Sequence, residues 1–162
     1  KGKYSTVTGG FSGRAKGDYS FVGGGFCNLA SGLSSFVGGG YNNIASGIAS
    51  GTGGGIENTP EGDYSFVGGG CANCIKGTSP GSFVGGGKSN CICTATCASI
   101  IGGYGNIADD NGAVIAGSNI TSVSANMLHA NRLFLKLSDL PEADPNVDGV
   151  IYRVGTALHI SC

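Results

Sequence analysis

Ser20-Phe21-Val22-Gly23-Gly24-Gly25, Ser35-Phe36-Val37-Gly38-Gly39-Gly40, Ser65-Phe66-Val67-Gly68-Gly69-Gly70 and Ser82-Phe83-Val84-Gly85-Gly86-Gly87 are four copies of one hexapeptide. They recur about every fifteen residues, and weaker copies start at Ser5, Ser50, Ser99 and Ala113, giving about eight in all. A short fixed period marks a solenoid, in which each unit stacks on the next and none folds alone. Function is therefore sought in a stack of rungs rather than in a pocket.

Numbered from its serine, each rung carries a β-branched third position: Val7, Val22, Val37, Thr52, Val67, Val84, Ile101 and Ile115. The second position reads Thr6, Phe21, Phe36, Gly51, Phe66, Phe83, Ile100 and Val114. Neighbours on a strand point to opposite faces, so both faces of this short strand are apolar. A solvated outer wall would not tolerate that. One face fills the coil; the other calls for a partner, most simply the same strand of another copy. Phe21, Phe36, Phe66 and Phe83 are thus the candidate oligomer interface.

The fifth position is glycine in every copy: Gly9, Gly24, Gly39, Gly54, Gly69, Gly86, Gly103 and Gly117. Such a column indicates either a bend required in every rung or a closely packed axis. Asn28, Asn43, Asn58, Asn73 and Asn90 follow, and are expected to mark a second turn and to stack into hydrogen-bonded ladders. Gly17, Gly32, Gly47, Gly62 and Gly77 close the rung. Two short strands and two turns per rung, stacked about 4.8 Å apart, make a rod of roughly 38 Å.

Composition narrows the function classes. Charged residues are 12% of the 162 and net charge is −1, so no nucleic-acid backbone would be held. No apolar run reaches the length of a membrane span. The 33 glycines show no Gly-X-Y period, which excludes collagen. Lys1-Gly2-Lys3-Tyr4-Ser5 is neither a signal peptide nor a start at methionine, so the chain reads as the distal piece of something longer.

The pattern Ala-Ser-Gly-x-x-Ser-x-Val-Gly-Gly-Gly, as in residues 30–40, resembles the head repeat of the trimeric autotransporter adhesins (YadA-like heads). It is closer still to the Ser-Phe-Val-Gly-Gly-Gly-x-x-Asn-x-Ala-Ser-Gly variant of phage and other viral fibre proteins. The resemblance covers residues 4–124. It implies an all-β fold: a left-handed parallel β-roll of about eight rungs, three chains packed about one axis. The pattern breaks at Ser50-Gly51-Thr52, lengthens near Thr78–Pro80 and Cys93–Cys97, and shortens near Asn106 and Asn119. Those irregular places are expected to bulge outward and to offer a binding surface.

The repeat ends near Asn126, giving a β-roll domain over 1–126 and a C-terminal β cap or tip over 127–162. Asn131–Leu137 reads as a strand, and Val150–Arg153 and Ala157–Ser161 as a hairpin around Val154-Gly155-Thr156. The series Leu140-Pro141, Asp144-Pro145, Val147, Gly149, Ile151-Tyr152 and Leu158-x-Ile160-Ser161 resembles a C-terminal segment of tailed-phage structural proteins. A cap is also expected physically, because the last rung of a solenoid leaves an open edge.

Little in the chain suggests chemistry. Cys71, Cys74, Cys91 and Cys93 have spacings that suit zinc, but cysteine is also a small apolar filler, and Cys74 and Cys91 share the column of Leu29 and Ile44. Filler, disulfide and metal stay open, with Cys74–Cys91 the disulfide to test first. His129 and His159 lack partner motifs. Asp18 and Asp63 share a column three rungs apart, too far for a two-carboxylate glycosidase. Tyr41 and Tyr104 are candidate sugar-stacking residues.

The sequence thus predicts a non-enzymatic homotrimeric fibre module without cofactor, external on a virion: a phage tail fibre or spike. Its partners would be other virion structural proteins and a host-surface glycan or protein, with no nucleic acid and no membrane insertion. A capsid or neck decoration fibre and a bacterial trimeric adhesin head at the cell surface are the alternatives.

Overall fold

The computed structural model describes residues 1–131 and the backbone of two strands beyond them, Ile151–Val154 and Ala157–Ile160. The chain divides into two units, Lys1–Asn131 and Arg132–Cys162. The first is a parallel β-solenoid of about eight turns, all-β, with no helix among the described residues.

One wall is a nine-stranded parallel sheet that starts at Thr6–Val7, takes one strand from each turn and ends with Leu128–Ala130. The opposite wall is built of Arg14–Ala15, Leu29–Ala30 and Ile44–Ala45, then Thr59–Pro60, Cys74–Ile75, Cys91–Ile92 and Ile107–Ala108. The strand amides of each turn donate to the next turn, Phe21 N–H to the Ser35 carbonyl at 2.9 Å and Leu29 N–H to that of Asn43 at 2.8 Å. Bend amides such as Cys27 N–H donate back, to the Phe11 carbonyl at 2.9 Å. A residue in one turn therefore lies over its equivalent fifteen residues away, and identical side chains form columns.

The strand alternation sorts these columns. Val22, Val37, Val67 and Val84 are fully buried, facing Ala30, Ala45, Ile75 and Ile92 from the other wall. Each buried valine contributes about 1.5–3 kcal/mol of apolar burial. The core falls into two clusters, one from Ala15 to Ala45 and one from Val67 to Ile115. The turn between them carries the buried Thr52 in place of valine and Pro60 in place of alanine.

Below the glycines lies a ladder of buried asparagines, as the column suggested. Asn43 N–H donates to Asn28 Oδ1 at 2.9 Å, Asn58 N–H to Asn43 Oδ1 at 2.9 Å, and Asn73 N–H to Asn58 Oδ1 at 3.1 Å. Each Nδ2 donates to a glycine carbonyl of its own turn and to one of the next, as Asn43 does to Gly39 and Gly55 at 2.9 Å each. The turn geometry expected of the asparagine belongs instead to the residue before it. Cys27, Asn42, Glu57, Ala72 and Ser89 take φ of 53–56°. The asparagine is held by its ladder, which leaves the left-handed bend to its neighbour.

Two other expectations are corrected. At the seventh turn Ile100, not Ile101, pairs with Val84, and Ile101 is 61% exposed. Ala98 fills the buried serine position, so the alignment slips by one residue, placing Gly102 in the fifth column and Gly103 in the sixth. The lengthened rungs also do not simply bulge outward, because Ser79 and Ala95 within them are fully buried. In the second unit, Ile151–Val154 pairs antiparallel with Ala157–Ile160, the expected hairpin. The strand expected over 131–137 and the proline loop lie outside the described residues, apart from Asn131.

Candidate functional site

With the valines inside, the second-position side chains point out. Phe36 and Phe66 are 40% exposed and Phe83 is 43% exposed, while Phe21 is half-buried. Their rings stack along the rod, with centroids 5.6 Å apart for Phe21–Phe36 and 6.5 Å for Phe66–Phe83. The gap at Gly51 is partly covered by the ring of Phe66, which would lie 3.1 Å from a Cβ placed there. The result is an apolar stripe several turns long, a feature that monomeric proteins seldom leave open to water.

The glycine run beside it divides into three columns with different reasons to be glycine. A Cβ on Gly38, in the fourth column, would sit 2.3 Å from the Gly53 carbonyl oxygen. On Gly40, in the sixth, it would sit 2.1 Å from that of Gly55, at a φ of +90°. On Gly39, between them, it would meet nothing within 4 Å. Gly9 and Gly102 are equally open, and at Gly24, Gly54, Gly69 and Gly86 the nearest atom is backbone at 3.9–4.0 Å. Where glycine holds the fourth and sixth columns, the stacked turns leave no room for a Cβ, although the fourth admits Thr8, Ile101 and Ala116 in the end turns. The fifth, unbroken over the first seven turns, meets no Cβ clash within its own chain. Among those seven only Gly24, at a φ of +156°, has a backbone conformation that disfavours a side chain, and Gly39, Gly54, Gly69 and Gly86 do not. Gly103 and Gly117 stand apart from it, since a Cβ there would collide with the Gly117 carbonyl oxygen and with Asn131 Oδ1.

A second aromatic column, Phe11–Phe26–Tyr41, is stacked with centroids 5.1 and 5.3 Å apart and ring planes within 11°. It continues through Ile56, Cys71, Lys88 and Tyr104. Because one face of Tyr41 rests on Phe26, what it offers outward is its edge and hydroxyl, a poor surface for stacking a sugar.

The carboxylates of the shared acid column are used locally. Asp18 Oδ1 accepts from Lys3 N–H at 2.7 Å, and Asp63 Oδ1 from Ile48 N–H at 2.8 Å. His129 Nε2 lies 3.0 Å from the Ser124 carbonyl oxygen. Cys74, Cys91 and Cys93 are brought together, whereas Cys71 lies in the other aromatic column. Among the described residues, no three of His, Cys, Asp and Glu are placed to hold a metal ion. Sequence reasoning found the phenylalanine stripe but not the division of the glycines, which depends on where each Cα–Cβ vector points.

No protein-family model matches this chain, and no curated protein matches it. No helix among the described residues is long and apolar enough to cross a membrane.

Proposed function

We propose that the chain is a homotrimeric, left-handed β-roll module of a virion fibre, a phage tail fibre or spike, that attaches the particle to its host without catalysis. The observation that carries this reading is the fifth glycine column, open in the single chain and adjacent in sequence to the exposed phenylalanines. Glycine conserves room for a neighbouring backbone, and a second copy supplies both that backbone and an apolar face to cover the rings. Three copies rather than two follow from the resemblance of residues 4–124 to trimeric head and fibre repeats. The resemblance of the tail favours a phage origin, with the C-terminal segment as cap or tip. Three identical sides then turn weak surface contacts into avidity.

The experiment is a binding screen of the purified oligomer on arrayed bacterial surface polysaccharides and intact cells, with Phe66→Asp as the dissociated control. Saturable binding that the control loses by about 100-fold or more supports attachment through avidity. Equal binding by both chains, or no binding to any surface, overturns the adhesive role.

A further inference from the structure

Cys74 and Cys91 are direct partners in adjacent parallel strands of the second wall, and Ile75 and Ile92 beside them point inward. Lys76 and Cys93, one step further along, therefore face outward with the two cysteines, making a two-by-two patch on neighbouring turns. Cys74 Sγ lies 2.6 Å from Cys91 Sγ, and Cys91 Sγ lies 2.6 Å from Cys93 Sγ. All three are free and partly exposed. A strand spacing of about 4.8 Å falls within the Cα separation, about 4.4–6.8 Å, that a disulfide bridges.

We propose that Cys74, Cys91 and Cys93 form a thiol–disulfide exchange site that takes a small organic disulfide such as glutathione disulfide and converts it into a protein disulfide centred on Cys91. The Cys74 thiolate attacks one sulfur of the small disulfide, forming a mixed disulfide and releasing one small thiolate. The Cys91 sulfur, losing its proton to solvent, attacks Cys74 Sγ and expels the second. The two protein thiols are oxidised by two electrons, and one small disulfide becomes two small thiols. Cys93, losing its proton to solvent, then attacks Cys91 Sγ, breaking the Cys74–Cys91 bond, forming Cys91–Cys93 and releasing Cys74 as the thiolate.

The surroundings assign the order. The hydrogen bond between Cys74 and Cys91 and the Lys76 ammonium hold the Cys74 thiol down at about 7, against burial and the Glu61 carboxylate, which raise it. Cys91 is pushed up by its bond to Cys74 and by burial, and Cys93 by burial, against its hydrogen bond with Cys91, which lowers it, with Asp109 adding to the rise. Cys74 is therefore the attacking thiol and the other two resolve. The Cys74–Cys91 bond ties two turns together, whereas Cys91–Cys93 lies within one, so exchange moves a cross-turn rivet on and off.

The test treats the reduced full chain with glutathione disulfide near pH 7, quenches with an alkylating agent, unfolds it and digests with trypsin. Cleavage after Lys76 and Lys88 separates Cys74 from Cys91 and Cys93, and non-reducing mass spectrometry with fragmentation assigns the linked pairs. Expected are a Cys74–Cys91 cross-link, a Cys91–Cys93 loop with free Cys74, and almost no retained glutathione on Cys74. Cys91→Ser is expected to keep glutathione on Cys74, and Cys93→Ser to hold all of the bond as Cys74–Cys91. A stable glutathione adduct on Cys74 in the unaltered chain, or attack at Cys91 or Cys93 before Cys74, overturns the proposal.

Discussion

Asn58→Ala is expected to destabilise the solenoid by about 4 kcal/mol and to split its unfolding into two steps. Asn58 Oδ1 accepts the Asn73 amide at 3.1 Å, and its Nδ2 donates to the carbonyls of Gly54 at 2.9 Å and Gly70 at 3.1 Å. The side chain is fully buried, so truncation leaves the Asn73 N–H with neither water nor acceptor. One orphaned buried donor costs about 1–3 kcal/mol, and each lost bond adds about 1 kcal/mol. The position matters as much as the sum. Asn58 belongs to the turn that separates the two core clusters, where Thr52 and Pro60 replace the apolar pair. In a nearly one-dimensional stack, weakening that junction uncouples the halves. Urea unfolding followed by circular dichroism checks this; a single transition shifted by under about 1 kcal/mol would show the ladder to be passive.

The neighbouring glycines Gly39 and Gly40 are expected to respond to alanine in opposite ways. Gly40→Ala places a Cβ 2.1 Å from the Gly55 carbonyl oxygen and 2.8 Å from Asn43 Nδ2, at a φ of +90°. Backbone strain of about 1–3 kcal/mol and overpacking of similar size combine to a loss of about 3–5 kcal/mol. Gly39→Ala meets nothing in its own chain, so the single chain stays as stable or gains up to about 1 kcal/mol from a stiffer unfolded state. Its effect falls on assembly, weakened by about tenfold or more where another copy's backbone approaches, which is about 1.4 kcal/mol. Thermal melts at low concentration read the first quantity, and concentration-dependent sedimentation the second. Gly39→Ala that assembles like the unaltered chain would remove the reason given for the fifth column.

How far the sequence disclosed this architecture depends on the column. The inward Val22, Val37, Val67 and Val84 and the outward phenylalanines were legible because strand alternation separates adjacent apolar residues. The asparagine ladder was legible as stacking but misplaced as a turn. The left-handed positions hold Cys27, Asn42, Glu57, Ala72 and Ser89, which share no chemistry for a reader to notice. The slip at Ile100-Ile101 arose because two isoleucines in a row fit the inner column equally well, and only the buried Ala98 decides between them. Cys74 over Cys91 could be read from the period. The approach of Cys93 could not, because it depends on side-chain reach across the patch rather than on spacing.

Attachment through avidity requires partners of the chain's own kind along the phenylalanine and glycine columns. The mass of the soluble chain by light scattering tests this most directly. A value near three times 16.0 kDa, falling to one chain for Phe66→Asp, is the expected result. A mass of one chain for the unaltered protein would contradict it, leaving the apolar stripe uncovered and the open glycine column without a reason.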